Sequence, residues 1–343
     1  MPKNDTLRSA KTAKKNEFFT QYDDIQKEMN SYLEYDPNVF RGKVILLPCD
    51  DPEQSNFTKF FARNFEFYGL KKLISTSYAG SPLSIDKKRG RKLILERDIN
   101  KNGVIDFEDL EWEFLKGDGD FRSDEVKALR DEADIIVTNP PFSLFREFIS
   151  WIFEANKKFL IIGNMNSITC KDIFPLVKNN QMWYGPSISS GDREFAVPDS
   201  YPLDAAGWRV DENGTHYIRV KGVRWFTNLD HGRRHEPLML MSMADNIKYS
   251  RHKEVKGIGY KKYDNYKAIQ IPFTDAIPLD YDGLMGVPIS FLDKYCPEQF
   301  EIIGITEKND SLKEYYIDGC EKYDRPYLNG ERKYPCLLIK KIS

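Results

Sequence analysis

Hydrophobic residues in this chain gather into short, dense runs set between longer stretches of helical spacing. Val44-Ile-Leu-Leu47, Lys72-Leu-Ile-Ser-Thr-Ser77, Asp134-Ile-Ile-Val-Thr138 and Lys158-Phe-Leu-Ile-Ile-Gly163 are nearly unbroken apolar runs, several rich in β-branched residues. Such runs suit strands covered on both faces. Between them the spacing predicts helices from Ile25 to about residue 34, from Ser55 to about Phe67, and through Glu147 and Ile152. This alternation predicts an α/β fold with a doubly wound, mostly parallel sheet and right-handed crossovers. From about residue 181 the pattern changes, and Gly, Pro, Ser and Asp become frequent. Tyr217–Phe226 alternates as one late strand, and beyond Asp230 aromatic, proline and basic residues mix without helical period. A smaller, irregular α+β region is expected there. The division expected is therefore 1–230 and 231–343, with residues 1–16, polar and basic, as a flexible arm.

A length of 343 residues allows one large or two ordinary domains, and 30% charged with 41% hydrophobic residues marks a globular chain. No apolar run approaches the roughly 20 residues that span a bilayer, and no secretory signal is visible. Five scattered cysteines (Cys49, Cys170, Cys296, Cys320, Cys336) without a Cys-x-x-Cys pair argue for free thiols in a reducing cytoplasm. The net charge of −2 does not favour a nucleic-acid binder, but local patches matter more than totals. From Arg219 to Lys262 there are 11 Lys and Arg against 4 Asp and Glu, and Lys3, Arg8, Lys11, Lys14 and Lys15 form a second basic cluster.

Candidate chemistry centres on Asn139-Pro-Pro-Phe142, directly after a buried strand. Proline cannot donate to a ladder and holds the residue before it extended. The strand therefore ends in a stiff loop presenting the Asn139 amide, the Pro140 carbonyl and the Phe142 ring, with Pro141 stiffening it. That is the edge where open α/β sheets bind ligands. An ordinary turn is the alternative. Two further loops suit a nucleoside cofactor. Pro48-Cys-Asp-Asp-Pro52 ends the first strand. In Lys116-Gly-Asp-Gly-Asp-Phe-Arg-Ser123, Asp120 could accept from an adenine amino group while Phe121 packs on the ring.

Asn139-Pro-Pro-Phe142 resembles the catalytic motif of S-adenosylmethionine-dependent amino-methyltransferases. The resemblance widens with Asn16-Glu-Phe-Phe-Thr-Gln-Tyr22, Cys49–Pro52, Gly117–Ser123, Thr138–Arg146, Gly191-Asp-Arg-Glu-Phe195, Lys221–Asp230 and Met285-Gly-Val-Pro-Ile-Ser-Phe291. Together these are similar to the EcoRI-type adenine-specific DNA methyltransferases over nearly the whole chain. The resemblance implies a methyltransferase fold and transfer of methyl from S-adenosylmethionine to the N6 of an adenine flipped out of duplex DNA. It implies Asn139, Pro140, Pro141 and Phe142 as the catalytic loop, and Phe18, Thr20, Cys49, Asp50, Asp120 and Phe121 against the cofactor. Target reading falls to 231–343. Arg224, Arg233, Arg234 and the Lys248–Lys262 cluster are expected to contact DNA, and Trp225 or Phe226 to wall the base pocket, although both equally suit the core. A monomer is expected, with a restriction endonuclease as functional partner. The strand ending at Ser75-Thr-Ser-Tyr78 lacks the acidic residue that many methyltransferases place on the ribose. An amino-methyltransferase of RNA adenine or protein glutamine, and a non-enzymatic DNA-binding protein on a relic fold, remain open alternatives.

Asp98-Ile-Asn-Lys-Asn-Gly-Val-Ile-Asp-Phe-Glu-Asp109 matches a calcium-loop pattern at Asp98, Asn100, Asn102, Gly103 and Asp106, with Asp109 where a glutamate is usual. A structural calcium ion is one reading. A hairpin turn at Asn102-Gly103 is the other.

Overall fold

The computed structural model describes residues 20–50, 55–80, 88–189, 192–197, 207–307, 310–320 and 325–342. The expected arm over 1–16, Phe18, Asp51, Pro52 and Gly191 lie outside the described residues. By contact the chain forms two units: Met1–Met165 with Tyr184–Asp230, and Asn166–Trp183 with His231–Ser343. It passes from one to the other at three points along its length.

The first unit begins with α1 (Tyr22–Tyr35), which buries Ile25, Glu28, Met29 and Tyr32 at steps of three and four. Strand β1 (Val44–Leu47) and helix α2 (Asn56–Arg63) follow. The Ser55 hydroxyl caps α2 by accepting from the Phe57 N–H at 3.1 Å. The helix expected to reach Phe67 breaks at Asn64 and resumes for a single turn, Phe65–Tyr68. Next come β2 (Lys72–Thr76), β3 (Arg91–Leu95), β4 (Glu111–Phe114), α3 (Asp124–Glu132), β5 (Ile135–Thr138), α4 (Phe145–Glu154) and β6 (Lys158–Asn164).

These strands build an eight-stranded sheet in the order β4-β3-β2-β1-β5-β6-β11-β7, completed by β7 (Trp183–Tyr184) and β11 (Val223–Thr227). Its middle is parallel, since β1 pairs with β2 and β5, and β5 with β6. Its flanks turn antiparallel: β3 on β2, β4 on β3 and β11 on β6. Every residue of β1 and β5 is buried, and successive residues face opposite sides, so both faces are covered. Each such Ile or Leu contributes roughly 1.5–3 kcal/mol of burial.

The single late strand expected over Tyr217–Phe226 is two. Gly222, at φ +71°, breaks it. On one side β10 (His216–Lys221) joins β8 (Asp192–Val197) and β9 (Arg209–Val210) in a separate antiparallel sheet, and on the other β11 enters the main sheet.

The second unit holds α5 (Phe174–Lys178), α6 (Met243–Tyr249) and a four-stranded sheet, β12-β13-β17-β14. Its strands are β12 (Ala268–Gln270), β13 (Leu284–Val287), β14 (Phe300–Ile305) and β17 (Leu337–Lys341), with a small β15–β16 ribbon (Tyr327–Leu328, Glu331–Arg332) besides. One part of its core packs Tyr263, Tyr266, Leu312, Leu328 and Leu338. Among the described residues, no helix is long and apolar enough to cross a membrane.

Candidate functional site

The strand order reverses at β1, which has β2 on one side and β5 on the other. At such a switch point the loops leaving the carboxyl ends diverge and open a crevice. Here those loops are Pro48–Asp50 from β1 and Asn139–Phe142 from β5.

Strand β5 runs buried through Thr138. Asn139 is half-buried, Pro140 buried, and Pro141 and Phe142 half-buried, with the Phe142 ring packed on the edge of the core. The Leu144 N–H donates to the Pro141 carbonyl at 2.8 Å, which closes a tight turn over Phe142–Leu144 and delivers the chain into α4. That helix holds on through Phe145, Phe148, Ile149, Trp151 and Ile152. The prolines stop the strand, and the apolar face of α4 fixes where the loop goes next.

The Pro48–Asp50 loop is fastened from three directions. Asp50 is 7% exposed. Its carboxylate accepts from the Ser55 hydroxyl at 2.7 Å and from the Thr138 hydroxyl at 2.6 Å. The Ser75 hydroxyl lies 3.1 Å from the Asp50 carbonyl and 2.9 Å from Thr58 Oγ1, and Thr76 donates to the Pro48 carbonyl at 3.2 Å. Ser75 and Thr76 are therefore buried braces for this loop, and the buried Ser77 hydroxyl accepts from the Arg91 N–H at 3.1 Å, so the hydroxyls at the end of β2 all have structural partners. Cys49 is half-buried beside them.

The Lys116–Ser123 loop is laced to the residues that follow β2 and to the residue that precedes β3. Ala79 N–H donates to the Asp118 carbonyl at 2.7 Å and Gly90 N–H to the Gly117 carbonyl at 2.9 Å. Gly119 sits at φ +80°, and a Cβ there would lie 2.2 Å from the Ser77 carbonyl oxygen, so this approach requires glycine. Asp120 accepts from Arg122 through both carboxylate oxygens, and that guanidinium holds its carboxyl below the usual carboxylate range. Arg122 also reaches Glu147 of α4 at 3.2 Å. Phe121 is nearly buried, edge-on to Phe148 at 5.1 Å and Trp151 at 5.6 Å. Thr20 is 5% exposed, and its carbonyl accepts from the Asn56 amide at 2.8 Å. Its own hydroxyl is buried with no partner among the described residues. A polar ligand group at this hydroxyl would relieve that deficit.

Three of the four residues expected at the DNA are interior ones. Trp225 is fully buried, edge-on to Phe57 at 5.9 Å, so it is a core residue and presents no surface. Arg224 is 3% exposed and donates to the Val223 and Ser189 carbonyls. Arg234 is 6% exposed and lies 3.5 Å over the Trp183 ring, donating to Asn180. Arg233 alone of the four is half-exposed. The Lys248–Lys262 segment behaves as a surface: Lys248, Arg251, Lys253, Lys256, Lys261 and Lys262 are exposed, alongside Tyr249.

The calcium reading is corrected. Among the described residues, no three His, Cys, Asp or Glu side chains converge as a metal site. The segment connects the antiparallel pair β3 and β4. Its side chains accept from its own backbone: Asp98 from Asn102 and Gly103, Asn100 from Asn102, Asn102 from Val104, Asp106 from Glu108, and Asp109 from Ile99, Asn100 and Asp106. The N–H of Asn100 foremost, with those of Asp106 and Ile99, holds the Asp109 carboxyl below its usual range.

Thr138, Arg122 and Glu28 hold places that the motifs alone do not single out. Thr138 is a hydroxyl closing an otherwise apolar strand, and Arg122 lies two residues from Asp120; both were visible signals. Glu28 gave none, because its role depends on a remote partner. It is fully buried, accepts from the Tyr32 hydroxyl at 2.8 Å, and anchors the Ser187 N–H at 2.9 Å.

Residues 6–341 match the family model described as "Adenine-specific methyltransferase EcoRI". The chain is 43% identical over 331 residues to Type II methyltransferase M.EcoRI of Escherichia coli, covering 96% of this chain and 97% of that one. It is 35% identical over 337 residues to Type II methyltransferase M.MpnI of Mycoplasma pneumoniae, covering 96% of each. It is also 36% identical over 338 residues to Type II methyltransferase M.MgeORF184P of Mycoplasma genitalium, covering 97% of each. No solved structure matches the chain.

Proposed function

This chain belongs to the EcoRI family of adenine-specific methyltransferases, and we infer from that membership that it methylates adenine N6 in duplex DNA. S-adenosylmethionine, the cofactor such a family implies, supplies the methyl group when bound. The observation that carries the site assignment is the half-buried Asn139 at the carboxyl end of β5, tied through Thr138 to the Pro48–Asp50 loop.

The residues present fit the cofactor. The unsatisfied Thr20 hydroxyl and the backbone of Pro48–Asp50 would hold its polar groups, and Asp120 would accept from the adenine amino group. Phe121, turned into the α4 core, would set the wall beside the adenine.

Adenine N6 is a poor nucleophile because its lone pair is delocalised into the ring. The Asn139 side-chain oxygen and the Pro140 carbonyl would each accept one amino hydrogen. That grip would pyramidalise the nitrogen and orient its lone pair for transfer, an effect of position and electrostatics. Bound there, the cofactor would supply its methyl to the nitrogen as its carbon–sulfur bond breaks, and the surplus amino proton would leave to solvent. Phe142 would stack on the base, which must leave the duplex at a cost of a few kcal/mol. The exposed basic segment Lys248–Lys262 and Arg233 would meet phosphates or guanine edges. The chain would act as a monomer, with an endonuclease of the same target sequence as functional counterpart.

The test is methyl transfer from labelled S-adenosylmethionine to unmodified duplex DNA, with mass spectrometry of the nucleosides. N6-methyladenine from the wild type and almost none from Asn139→Ala is the expected result. Bound cofactor with no methylated DNA would redirect the search to RNA or protein substrates.

A further inference from the structure

The geometry of the switch point assigns a task to a carboxylate that faces away from solvent. The ladder between β1 and β5 pairs Ile45 with Ile135 and Leu46 with Ile136, and goes no further. The two loops that must cooperate, Pro48–Asp50 and Asn139–Phe142, both begin beyond its last rung. What continues the connection is a side-chain bond: the Thr138 hydroxyl donates to Asp50 Oδ2 at 2.6 Å. The other oxygen, Oδ1, accepts from Ser55 at the start of α2, and the Asp50 carbonyl accepts from Ser75 of β2. One residue thus joins the carboxyl ends of three adjacent strands to the first turn of a helix. Hydroxyl-to-carboxylate bonds of this length are strong and directional.

We propose that Asp50 is a positioning residue for methyl transfer: through the Thr138 hydroxyl it holds Asn139 in register with the loop that carries the cofactor. This rests on the assignment of Asn139 as the amino-group acceptor. A carboxylate engaged on both oxygens and almost wholly buried is placed to brace, with little left to offer a ligand directly. In-line transfer is sensitive to displacements of an ångström, for which losses of about 100-fold are typical. A hinge between the two loops would let the base and the methyl donor drift by that amount. The Asp50–Thr138 bond removes the hinge.

The experiment compares the wild type with Thr138→Val, Thr138→Ser, Asp50→Asn and Asn139→Ala. Cofactor affinity is measured by calorimetry. The single-turnover rate is measured with labelled S-adenosylmethionine on unmodified duplex DNA. Thr138→Val is expected to bind cofactor within about threefold of wild type and to transfer methyl roughly 10–100-fold more slowly, with Thr138→Ser restoring most of the rate. A merely structural threonine would not give that split, nor the rescue. If Thr138→Val does not fold, Asp50→Asn carries the test, with the same loss of rate expected. A rate within threefold of wild type in whichever of the two folds, or a Thr138→Ser as slow as Thr138→Val, would overturn the proposal. A wild-type rate in Asn139→Ala would overturn the catalytic assignment beneath it, which is a separate result.

Discussion

The Arg122 guanidinium forks across the Asp120 carboxylate, with Nε 2.9 Å from Oδ1 and a terminal nitrogen 2.6 Å from Oδ2. The Arg122 N–H adds a third donor on Oδ1 at 2.8 Å, so Oδ2 keeps one lone pair for a ligand amino group. The fork sets which way that lone pair points.

Removing the fork should loosen cofactor binding without touching chemistry. Because Arg122 is 53% exposed at its side chain, the pair is worth little in stability. Arg122→Ala is expected to raise KM for S-adenosylmethionine about threefold, with kcat at saturation unchanged, in steady-state assays.

The same fork sets a pH dependence. Arg122 depresses the Asp120 carboxyl in the folded state. Its contribution is complete above the unfolded carboxylate value of about 3.9 and is lost only as pH falls through the lower folded value. Cofactor affinity should therefore stay flat from pH 7 down to about 4.5 wherever the fold persists. In Arg122→Ala the decline should begin at higher pH. Calorimetric titrations at stepped pH would show the two onsets, and coincident onsets would refute the assignment.

Gly119→Ala should be severe. The substitution places a side chain at φ +80° and within 2.2 Å of the Ser77 carbonyl oxygen, a backbone atom that cannot swing aside. A loss of roughly 2–4 kcal/mol is expected, visible as a lowered Tm, together with a cofactor affinity reduced at least about tenfold.

Adjacent arginines should part company. Arg234, stacked 3.5 Å over Trp183 and nearly buried, is a structural cation. Arg234→Ala is expected to cost about 2 kcal/mol of stability. Arg233→Ala should leave Tm unchanged and weaken DNA binding, flattening the salt dependence of the binding constant by nearly one unit of slope. Melting curves and binding isotherms at several salt concentrations would separate them.

Calcium should be without effect. The side chains of Asp98, Asn100, Asn102, Asp106 and Asp109 already accept from backbone donors. Adding or chelating calcium is expected to leave Tm within about 1 °C, since only a ligand that prefers the folded state shifts it.

How much was legible depended on range. The buried runs at 44–47, 135–138 and 159–163 were readable because a strand covered on both faces has no alternative to continuous apolarity. The Asn139 loop was readable because proline acts locally. Arg224 and Arg234 were misread because composition counts charge without depth: a guanidinium stacked on Trp183 or bonded to the Ser189 carbonyl looks the same in sequence as one facing phosphate. Trp225 was ambiguous for the same reason. Glu28 was invisible because its partner on Ser187 lies 159 residues away. The calcium motif misled because side chains that bend a loop around an ion also bend it around its own amides.

The three crossings between units bear on how this protein can be divided. Residues 166–183 belong by contact with the chain beyond 230, yet all but Trp183, which opens β7, are encoded between β6 and β7 of the main sheet. A gene cut at residue 230 would leave each product wrong: the leading half would carry an orphaned insert, and the trailing half would lack its α5 segment. A single breakpoint at 230 therefore cannot move the second unit whole. A viable chimera must move two separated stretches at once.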